Sequence, residues 1–278
     1  MPTEFGLSFF FRIAPGFLAA FLFLDTIGEL NAVSLTDAIT LVGILGLVLG
    51  LVLMLIRYPV WAFYEGRWFW PSRIREKMVS SLQKHLESSF MKAKSLQKKV
   101  DELSTKERLT ADERKELDEA RRKYKELWFG IRQFPEDRTG TWDVAPGIRV
   151  GMRKATAPTR FGNIVQEYET YPLLRYGMDT VFYWYRLVLL IPKDSYDMID
   201  DASAAAESLM FTSVVFIAFA VFFAFFSQGY PDLFLRVSVV GSSLLLSYLV
   251  YRASLHPLRS YGENFKALFD AYRGELFR

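Results

Sequence analysis

The chain has 278 residues, of which 51% are hydrophobic, 16% are aromatic and 23% are charged, and its formal net charge is +3. So much apolar content excludes a disordered chain, and a charge so close to balance gives no reason to expect a nucleic-acid partner. The sequence contains no cysteine and only two histidines, which excludes disulfides, thiolate nucleophiles and cysteine-ligated zinc. We therefore expect no metal site and no cofactor.

The apolar and charged residues are segregated along the chain. Residues 38–56 and 208–231 contain no charged side chain, and residues 233–251 contain only Arg236. An α-helix needs about 20 residues to cross the hydrocarbon core of a bilayer. Each stretch therefore predicts a membrane-spanning helix, the first within residues 38–57 and the other two within residues 208–252.

A fourth membrane helix is predicted near the N-terminus, at about residues 9–27. The uncharged run from Ile13 to Leu24 is too short to span a bilayer by itself. It reaches the required length only if the preceding phenylalanines join it and the Arg12 side chain extends to the membrane interface. A cleaved signal peptide is the alternative, but the residues before this run lack the basic cluster that such a peptide carries. We therefore assign residues 1–57 to membrane helices 1 and 2.

The distribution of basic residues predicts the orientation of the four helices. The connections at residues 25–37 and 228–232 contain neither lysine nor arginine, whereas basic residues follow the second helix closely and recur after the last one. Short segments rich in lysine and arginine remain in the cytoplasm. We therefore expect both termini and the long central segment, residues 58–207, to be cytoplasmic.

An interfacial aromatic segment and a helical hairpin are predicted for residues 58–134. Apolar residues recur about every 3.6 positions over residues 71–103, which is the period of an α-helix. Residues 110–134 begin with the capping-box pair Thr110 and Glu113. They carry a narrow heptad seam formed by Leu117, Ala120, Tyr124, Leu127, Ile131 and Phe134. Two long helices with a short connection predict an antiparallel coiled-coil hairpin. So thin an apolar stripe should pack on the rest of the domain, on a second copy or on a soluble partner protein.

Residues 135–207 are predicted to be rich in loops, because glycine and proline are frequent in the first part of this segment. A short strand is expected within residues 144–152, and a short helix is expected after Thr159, broken at Pro172. The apolar segment at residues 180–192 is too short to span a membrane. We predict that it lies at the membrane interface, with burial inside the cytoplasmic domain as the alternative.

Charged residues also flank the last two membrane helices. Asp200 and Asp201 are expected where the third membrane helix begins, because carboxylates interact favourably with the dipole at that end of a helix. Residues 253–278 predict an amphipathic cytoplasmic tail that lies on the membrane surface or packs on the cytoplasmic domain. The predicted fold is thus mainly α: four transmembrane helices and a cytoplasmic coiled-coil hairpin domain with a small irregular part rich in glycine and proline.

A short pattern lies just before the predicted interfacial helix. It consists of PTRFGN at residues 158–163, TYP at residues 170–172 and RYG at residues 175–177, followed by Asp179. This pattern resembles one found in uncharacterised bacterial multi-pass membrane proteins, and the resemblance covers about thirty residues. It implies a bacterial inner-membrane protein and supplies no catalytic residue.

Three residues of this pattern, Arg160, Asn163 and Arg175, are candidate ligand-binding residues. Guanidinium groups near a membrane surface bind the phosphate of a lipid headgroup or of a nucleotide-like ligand. The alternative is structural, with the arginines paired to nearby acidic residues so that they fix the domain to the membrane helices. We favour the structural interpretation.

Small residues mark two of the membrane helices. The second helix carries Gly43, Gly46 and Gly50 on one face, and glycine at this spacing lets helix backbones approach closely, within one chain or between copies. The last helix carries a stripe of hydroxyl side chains, formed by Ser238, Ser242, Ser243 and Ser247. These serines either form hydrogen bonds between helices or line a pore.

The sequence contains no GxxxxGK[ST] loop and no GxGxxG, HExxH or GxSxG motif, so we expect no catalytic residues and no enzymatic activity. The leading hypothesis is a homo-oligomeric, channel-like or membrane-perturbing effector that responds to a cytoplasmic signal or partner. One alternative is a membrane anchor or scaffold whose hairpin, residues 71–134, recruits a soluble protein. A second alternative is a membrane enzyme or transporter that acts on a lipid or a small anion.

Overall fold

The structure is a computed structural model that describes residues 7–26, 34–106, 109–145, 148–226 and 233–276. The chain divides into two compact units. We call Met1–Trp61 together with Tyr185–Arg278 the membrane unit, and Ala62–Trp184 the central unit. As the sequence predicts, the described residues are mainly helical, with nine α-helices and one two-stranded sheet.

The elements of the described residues follow one another in this order. They are α1 (Leu7–Thr26), α2 (Leu35–Leu55), α3 (Arg57–Glu65), α4 (Ser72–Ser104), α5 (Ala111–Ile131), β1 (Glu136–Ala145), β2 (Ile148–Arg153), α6 (Arg160–Tyr176), α7 (Thr180–Leu190), α8 (Lys193–Phe226) and α9 (Leu233–Leu276).

Three of the described helices, α2, α8 and α9, are long and apolar enough to cross a membrane. They coincide with the three spans that the uncharged stretches predict, so those spans are confirmed as helices of suitable length. The apolar part of α1, Phe11–Leu24, is shorter than a spanning helix requires. These features are those of a membrane protein.

The four long helices of the membrane unit pack in a row. The main contacts join α2 to α1, α1 to α8, and α8 to α9. Because α2 and α9 lie at the two ends of the row, each packs on one side only. In their apolar windows only 11% of the residues are buried, compared with 33% for α8. A single chain therefore leaves the apolar surfaces of both outer helices exposed.

Glycines bring α1 and α2 into close contact. A Cβ atom on Gly16 would lie 2.2 Å from the Gly50 nitrogen, and one on Gly50 would lie 2.8 Å from the Ile13 oxygen. A Cβ atom on Gly46 would lie 2.7 Å from the Phe17 ring, whereas one on Gly43 would meet no atom within 4 Å. Two of the three predicted glycines thus face α1, and Gly16 is the partner that sequence reasoning missed.

Hydroxyl groups join α8 to α9. The Ser213 Oγ donates to the Ser247 carbonyl oxygen at 3.1 Å, and the Ser247 Oγ donates to the Ser213 carbonyl oxygen at 3.0 Å. Both serines are buried. This reciprocal pair satisfies two buried hydroxyl groups, and it fixes the register of the two helices.

Both C-terminal helices extend well beyond their apolar parts. α8 begins at Lys193, rather than near residue 208, and α9 continues through Pro257 to Leu276, rather than ending near residue 252. The segment predicted as a separate amphipathic tail is therefore a continuation of α9. Its apolar face, which includes Leu258 and Phe269, is buried.

The early start of α8 changes the environment of two acidic residues. Asp200 and Asp201 lie about two turns inside the helix, since α8 begins at Lys193. The favourable effect of the helix dipole is confined to the first turn. The prediction that these carboxylates interact with the start of the membrane helix is therefore wrong.

The helices α4 and α5 form the main part of the central unit, close to their predicted ranges. The capping box at the start of α5 is confirmed: the Thr110 side chain accepts from the Glu113 nitrogen, and the Glu113 carboxylate accepts from the Thr110 nitrogen. The two helices pack against each other, and Lys99 pairs with Glu116 at 2.5 Å near their connection. At the other end of the pair lies a core made by Leu86, Phe90, Ala93, Ile131, Phe134 and Ala155.

The segment after α5 is less irregular than expected. The strands β1 and β2 pair antiparallel. β2 covers most of the predicted strand region, and β1 overlaps it only at its end. β1 was missed because its sequence, EDRTGTWDVA, is polar and lacks the alternation of a half-buried strand. The helix α6 continues through Pro172 and ends at Gly177, whose φ of +70° is the left-handed conformation that glycine adopts at helix ends. The expected break at Pro172 is therefore wrong.

The contact between α1 and α2 predicts that replacing a glycine by alanine changes the free energy of unfolding in opposite directions at different positions. We expect Gly50→Ala and Gly16→Ala to lower the free energy of unfolding by about 1–3 kcal/mol, because the added methyl group overpacks the helix contact. Gly43→Ala should raise it by about 0.4–1 kcal/mol, because the site is open and alanine restricts the unfolded chain. Unfolding in a denaturing-detergent titration measures all three. A fall of equal size for Gly43→Ala would contradict the assigned packing.

The start of α5 predicts a pH-dependent contribution to stability. Hydrogen bonds from Lys106 and from the Thr110 backbone and side chain lower the pKa of Glu113 from 4.5 to about 2. Because the folded-state pKa is lowered, the stabilisation is complete above pH 4.5 and is lost as the pH falls towards 2. The thermal midpoint of Glu113→Gln should lie below that of the wild type at pH 7, and the gap should close over this range. The control Glu126→Gln, at an exposed position of α5, should show no such convergence.

Candidate functional site

The most buried charged group of the membrane unit is the Glu207 carboxylate on α8, whose side chain has 0% exposure. Its Oε2 accepts from the Arg12 Nε at 3.1 Å, and its Oε1 accepts from the Ser203 Oγ at 3.1 Å and pairs with the Arg57 guanidinium. Asp200, two turns earlier on α8, accepts from the Arg12 Nη2 at 2.6 Å. We call Arg12, Arg57, Asp200, Ser203 and Glu207 the ion cluster.

The ion cluster balances its own charge. Two guanidinium groups face two carboxylates, and every carboxylate has a charged hydrogen-bond donor. Such pairing offsets the large cost of removing a carboxylate from water. The sequence predicts that Arg12 extends its charge to the membrane interface. In the structure its side chain is 15% exposed and bound to Asp200 and Glu207 of α8.

The PTRFGN pattern forms a joint between the end of α3 and the start of α6 within the central unit. Thr159 caps α6 by accepting from the Gly162 nitrogen, and its hydroxyl donates to the Tyr64 carbonyl oxygen. A Cβ atom on Gly162 would lie 2.3 Å from the Glu65 oxygen, so only glycine allows this approach. The ring of Phe161 is fully buried.

Asn163 holds the loop that precedes α6. Its Oδ1 accepts from the nitrogens of Thr156 and Ala157 at 2.8 and 3.2 Å. Its Nδ2 donates to the carbonyl oxygens of Ala157 and Thr159 at 2.8 and 2.6 Å. These four bonds use the ordinary hydrogen-bonding capacity of a buried amide. In this conformation the Asn163 side chain supports the fold and has no group left for a ligand.

The two candidate arginines are not brought together. Arg160 and Arg175 lie 15 residues apart on α6, which separates them by about 22 Å along the helix axis. The Arg160 Nη2 lies 3.2 Å from the His85 Nε2, and the Arg175 guanidinium lies 6.0 Å from the centre of the Tyr171 ring. One phosphate therefore cannot contact both arginines.

A different arginine makes the acidic contacts near α6. Arg153 on β2 lies 3.6 Å from Glu136 and 3.7 Å from Glu167, and its Nη1 donates to the Phe134 carbonyl oxygen at 3.0 Å. Burial lowers the pKa of Arg153, and the two carboxylates oppose this effect. Burial also raises the pKa of Glu169, an effect that the nearby charge of Glu65 increases. The sequence offers Glu167 and Glu169 as partners of Arg160 and Arg175, but it does not indicate Arg153, because Arg153 lies on another element.

The predicted serine stripe divides between two environments. Ser243 and Ser247 are buried, and Ser247 bonds to α8 as described. Ser238 and Ser242 are exposed. The hydroxyl groups of Ser242 and Ser243 donate to the Val239 carbonyl oxygen, which satisfies them inside their own helix. Half of the stripe therefore belongs to the packing of one chain.

No family model, curated protein or solved structure matches this chain. Among the residues that the structure describes, no group of three or more histidine, aspartate or glutamate side chains could hold a metal ion. The candidate sites are therefore defined by their own geometry.

The ion cluster predicts a large effect of removing one charge. We expect Glu207→Gln to lower the free energy of unfolding by about 1.5–3 kcal/mol, because Arg57, which is half exposed, loses its carboxylate and Arg12 keeps only Asp200. The matched control is Asp201→Asn, at a neighbouring acidic residue of α8 outside the cluster, which should change it by less than about 0.5 kcal/mol.

A double substitution tests whether the pairing itself matters. Arg57→Gln together with Glu207→Gln removes one charge of each sign, so it should cost less than the sum of the two single substitutions. The measurement is again unfolding in a denaturing-detergent titration. Strict additivity would show that Arg57 and Glu207 do not interact.

Proposed function

We propose that the protein is a self-associating, multi-pass protein of a bacterial inner membrane, in which assembled copies form a channel-like effector under the control of a cytoplasmic domain. The central unit would be that domain, with α4 and α5 as its coiled-coil hairpin. The membrane unit would supply four membrane helices, with both termini in the cytoplasm.

Two observations support a membrane position for α1. It lies against α2 through Gly16, Gly46 and Gly50, and its single charged residue in this region, Arg12, is neutralised by Asp200 and Glu207. An arginine paired in this way costs much less to place near hydrocarbon than a free one. The apolar run then becomes long enough for a tilted or locally thinned crossing.

The ion cluster also supports the proposed topology. Arg12 near the start of α1, Arg57 after the end of α2 and Glu207 at the start of the apolar part of α8 are in direct contact. This contact supports a common depth for the three residues, with the N-terminus and the segment after α2 on the same side of the membrane. The basic residues of that segment favour the cytoplasmic side.

The observation that carries the proposal is that only some small residues of the outer helices α2 and α9 contact a neighbouring helix of the same chain. Gly46, Gly50, Ser243 and Ser247 face neighbouring helices of the same chain, whereas Gly43 on α2 and Ser238, Gly241 and Ser242 on α9 do not. A Cβ atom on Gly43 or Gly241 would meet no atom within 4 Å. Small residues that face no helix of their own chain allow a helix of another copy to approach closely. Ser238 and Ser242 would then provide polar groups along a path between copies.

The test combines the mass of the complex with ion flux. Light scattering in a mild detergent should give a defined multiple of the chain mass, and reconstituted liposomes should conduct ions. Ser242→Leu combined with Ser238→Leu should abolish the flux without lowering the thermal midpoint. The matched control is Ala224→Leu, a small-to-large change at an exposed position of α8, which should leave the flux intact. A monomer that conducts nothing would refute the proposal.

A membrane anchor or scaffold is the second candidate. Leu117 is buried, and Tyr124 and Leu127 are partly buried against the core of the central unit, so these seam residues offer little surface to a soluble partner. Phe129 on α5 and Met91 on α4 are instead 53% and 65% exposed, and a partner could cover them. Loss of a specific soluble partner on Phe129→Ser, without loss of stability, would favour this candidate.

The third candidate, an enzyme or transporter acting through Arg160 and Arg175, has less support. The separation of these arginines along α6 excludes their joint contact with one small anion.

A further inference from the structure

A groove of about 560 Å³ lies beside the first three turns of α4 in the central unit. Arg75, Glu76 and Val79 of α4 form one wall, and Lys154 and Ala155 belong to the other. Trp70, which precedes α4, also lines the groove. Its volume falls within the range of about 300–1,000 Å³ that is usual for small-molecule sites.

Hydrogen bonds hold the walls of this groove in place. The Ala155 nitrogen donates to the Gln83 Oε1 of α4 at 2.9 Å, and the Lys154 nitrogen donates to the Pro135 carbonyl oxygen at 3.0 Å. The Trp70 Nε1 donates to the Phe63 carbonyl oxygen at 2.8 Å, and the Trp70 ring stacks on the Phe63 ring at 5.7 Å. The shape of the groove is thus fixed by the protein itself, which lowers the cost of ordering it around a ligand.

The groove is lined by two cations that the fold does not use. Neither Arg75 nor Lys154 pairs with an acidic side chain among the described residues. In addition, Pro71 precedes α4 and provides no side-chain hydrogen bond to the first turn of the helix. The backbone N–H groups of that turn carry partial positive charge and suit an anion. Two cations and a helix start therefore point to one negatively charged group.

We propose that this groove binds a phosphate ester. Arg75 and Lys154 contact the phosphate, and the organic part lies against the Trp70 ring and the apolar surface of Val79 and Ala155. Arginine and lysine are the side chains that most often bind phosphate. The proposal rests on the central unit alone, so it does not depend on self-association of the membrane unit.

The acidic residue of the groove restricts the class of phosphate ester. Glu76 disfavours a bare phosphate dianion by charge repulsion, and its carboxylate accepts a hydrogen bond from a hydroxyl or amine group of the ligand. A phospholipid headgroup and a soluble sugar or nucleoside phosphate share this chemistry. Trp68 and Phe69, exposed aromatic residues just before the groove, suit a headgroup because aromatic rings favour the membrane interface.

The experiment uses the full chain in a mild detergent and measures binding by calorimetry. The soluble probes are glycerol 3-phosphate, AMP and inorganic phosphate. The lipid probes are phosphatidylglycerol and phosphatidylethanolamine, supplied in nanodiscs and detected as retained lipid by mass spectrometry. Retention of a lipid without binding of a soluble probe identifies a headgroup as the source, and binding of a soluble ester identifies a free ligand. Failure of every probe to bind overturns the proposal.

Three substitutions locate the binding. Arg75→Gln and Lys154→Gln should each weaken binding of the retained probe about tenfold or more, because each removes a charged hydrogen bond to the phosphate. The matched control is Lys77→Gln, at an exposed lysine of α4 that does not line the groove, and it should change binding by less than about twofold. Equal weakening by all three would show that net charge, and not the groove, attracts the probe.

A fourth variant is expected to bind more tightly. Glu76→Gln should strengthen the binding of inorganic phosphate, because it removes the only acidic side chain among the residues that line the groove. Loss of folding cannot produce such a gain. Unchanged phosphate binding in Glu76→Gln would overturn the assignment of the phosphate to this groove.

Discussion

The burial of one carboxylate at the edge of the apolar spans constrains the whole membrane unit. Glu207 loses its water completely, so it needs donors from other parts of the chain, and Arg12, Arg57 and Ser203 provide them. Ionic contacts of this kind have strict geometry, whereas apolar helix surfaces slide past one another at little cost. The ion cluster therefore fixes the positions of α1, of the end of α2 and of α8 along one another. The close glycine and serine contacts elsewhere in the unit are compatible with that registration.

Much of the fold could be predicted from the sequence, because its signals are local. An uncharged run of residues and the helix that it predicts consist of the same residues. The spans in α2, α8 and α9 are therefore predicted correctly. The period of 3.6 residues in α4 and the Thr110–Glu113 capping box likewise depend on residues within a few turns. The seam of α5 packs inward because it is the main apolar stripe of this charged helix.

The parts that were mispredicted depend on contacts between distant residues. The acidic partners of Arg12 lie on α8, far from it in sequence, so the ion cluster is not predicted from the sequence. Asn163 was selected as a polar residue next to an arginine, yet the loop backbone takes its whole hydrogen-bonding capacity. Arg75 and Lys154 were not selected, since they are brought to one groove by a bond from Ala155 to Gln83. The charge of a residue in the sequence does not show which residues of other elements lie beside it in the fold.

The long separation within the ion cluster has a consequence for biosynthesis. Arg12 and Glu207 are 195 residues apart, and at a usual synthesis rate of about 5–20 residues per second this interval lasts about 10–40 s. During that time the first two helices exist without the carboxylates that neutralise Arg12 and Arg57. The pair formed by α1 and α2 is therefore made before its charge partners, and its own glycine contact is what joins the two helices until α8 is synthesised. Synthesis of α8, and not completion of the chain, is thus the step that balances the charges of Arg12 and Arg57.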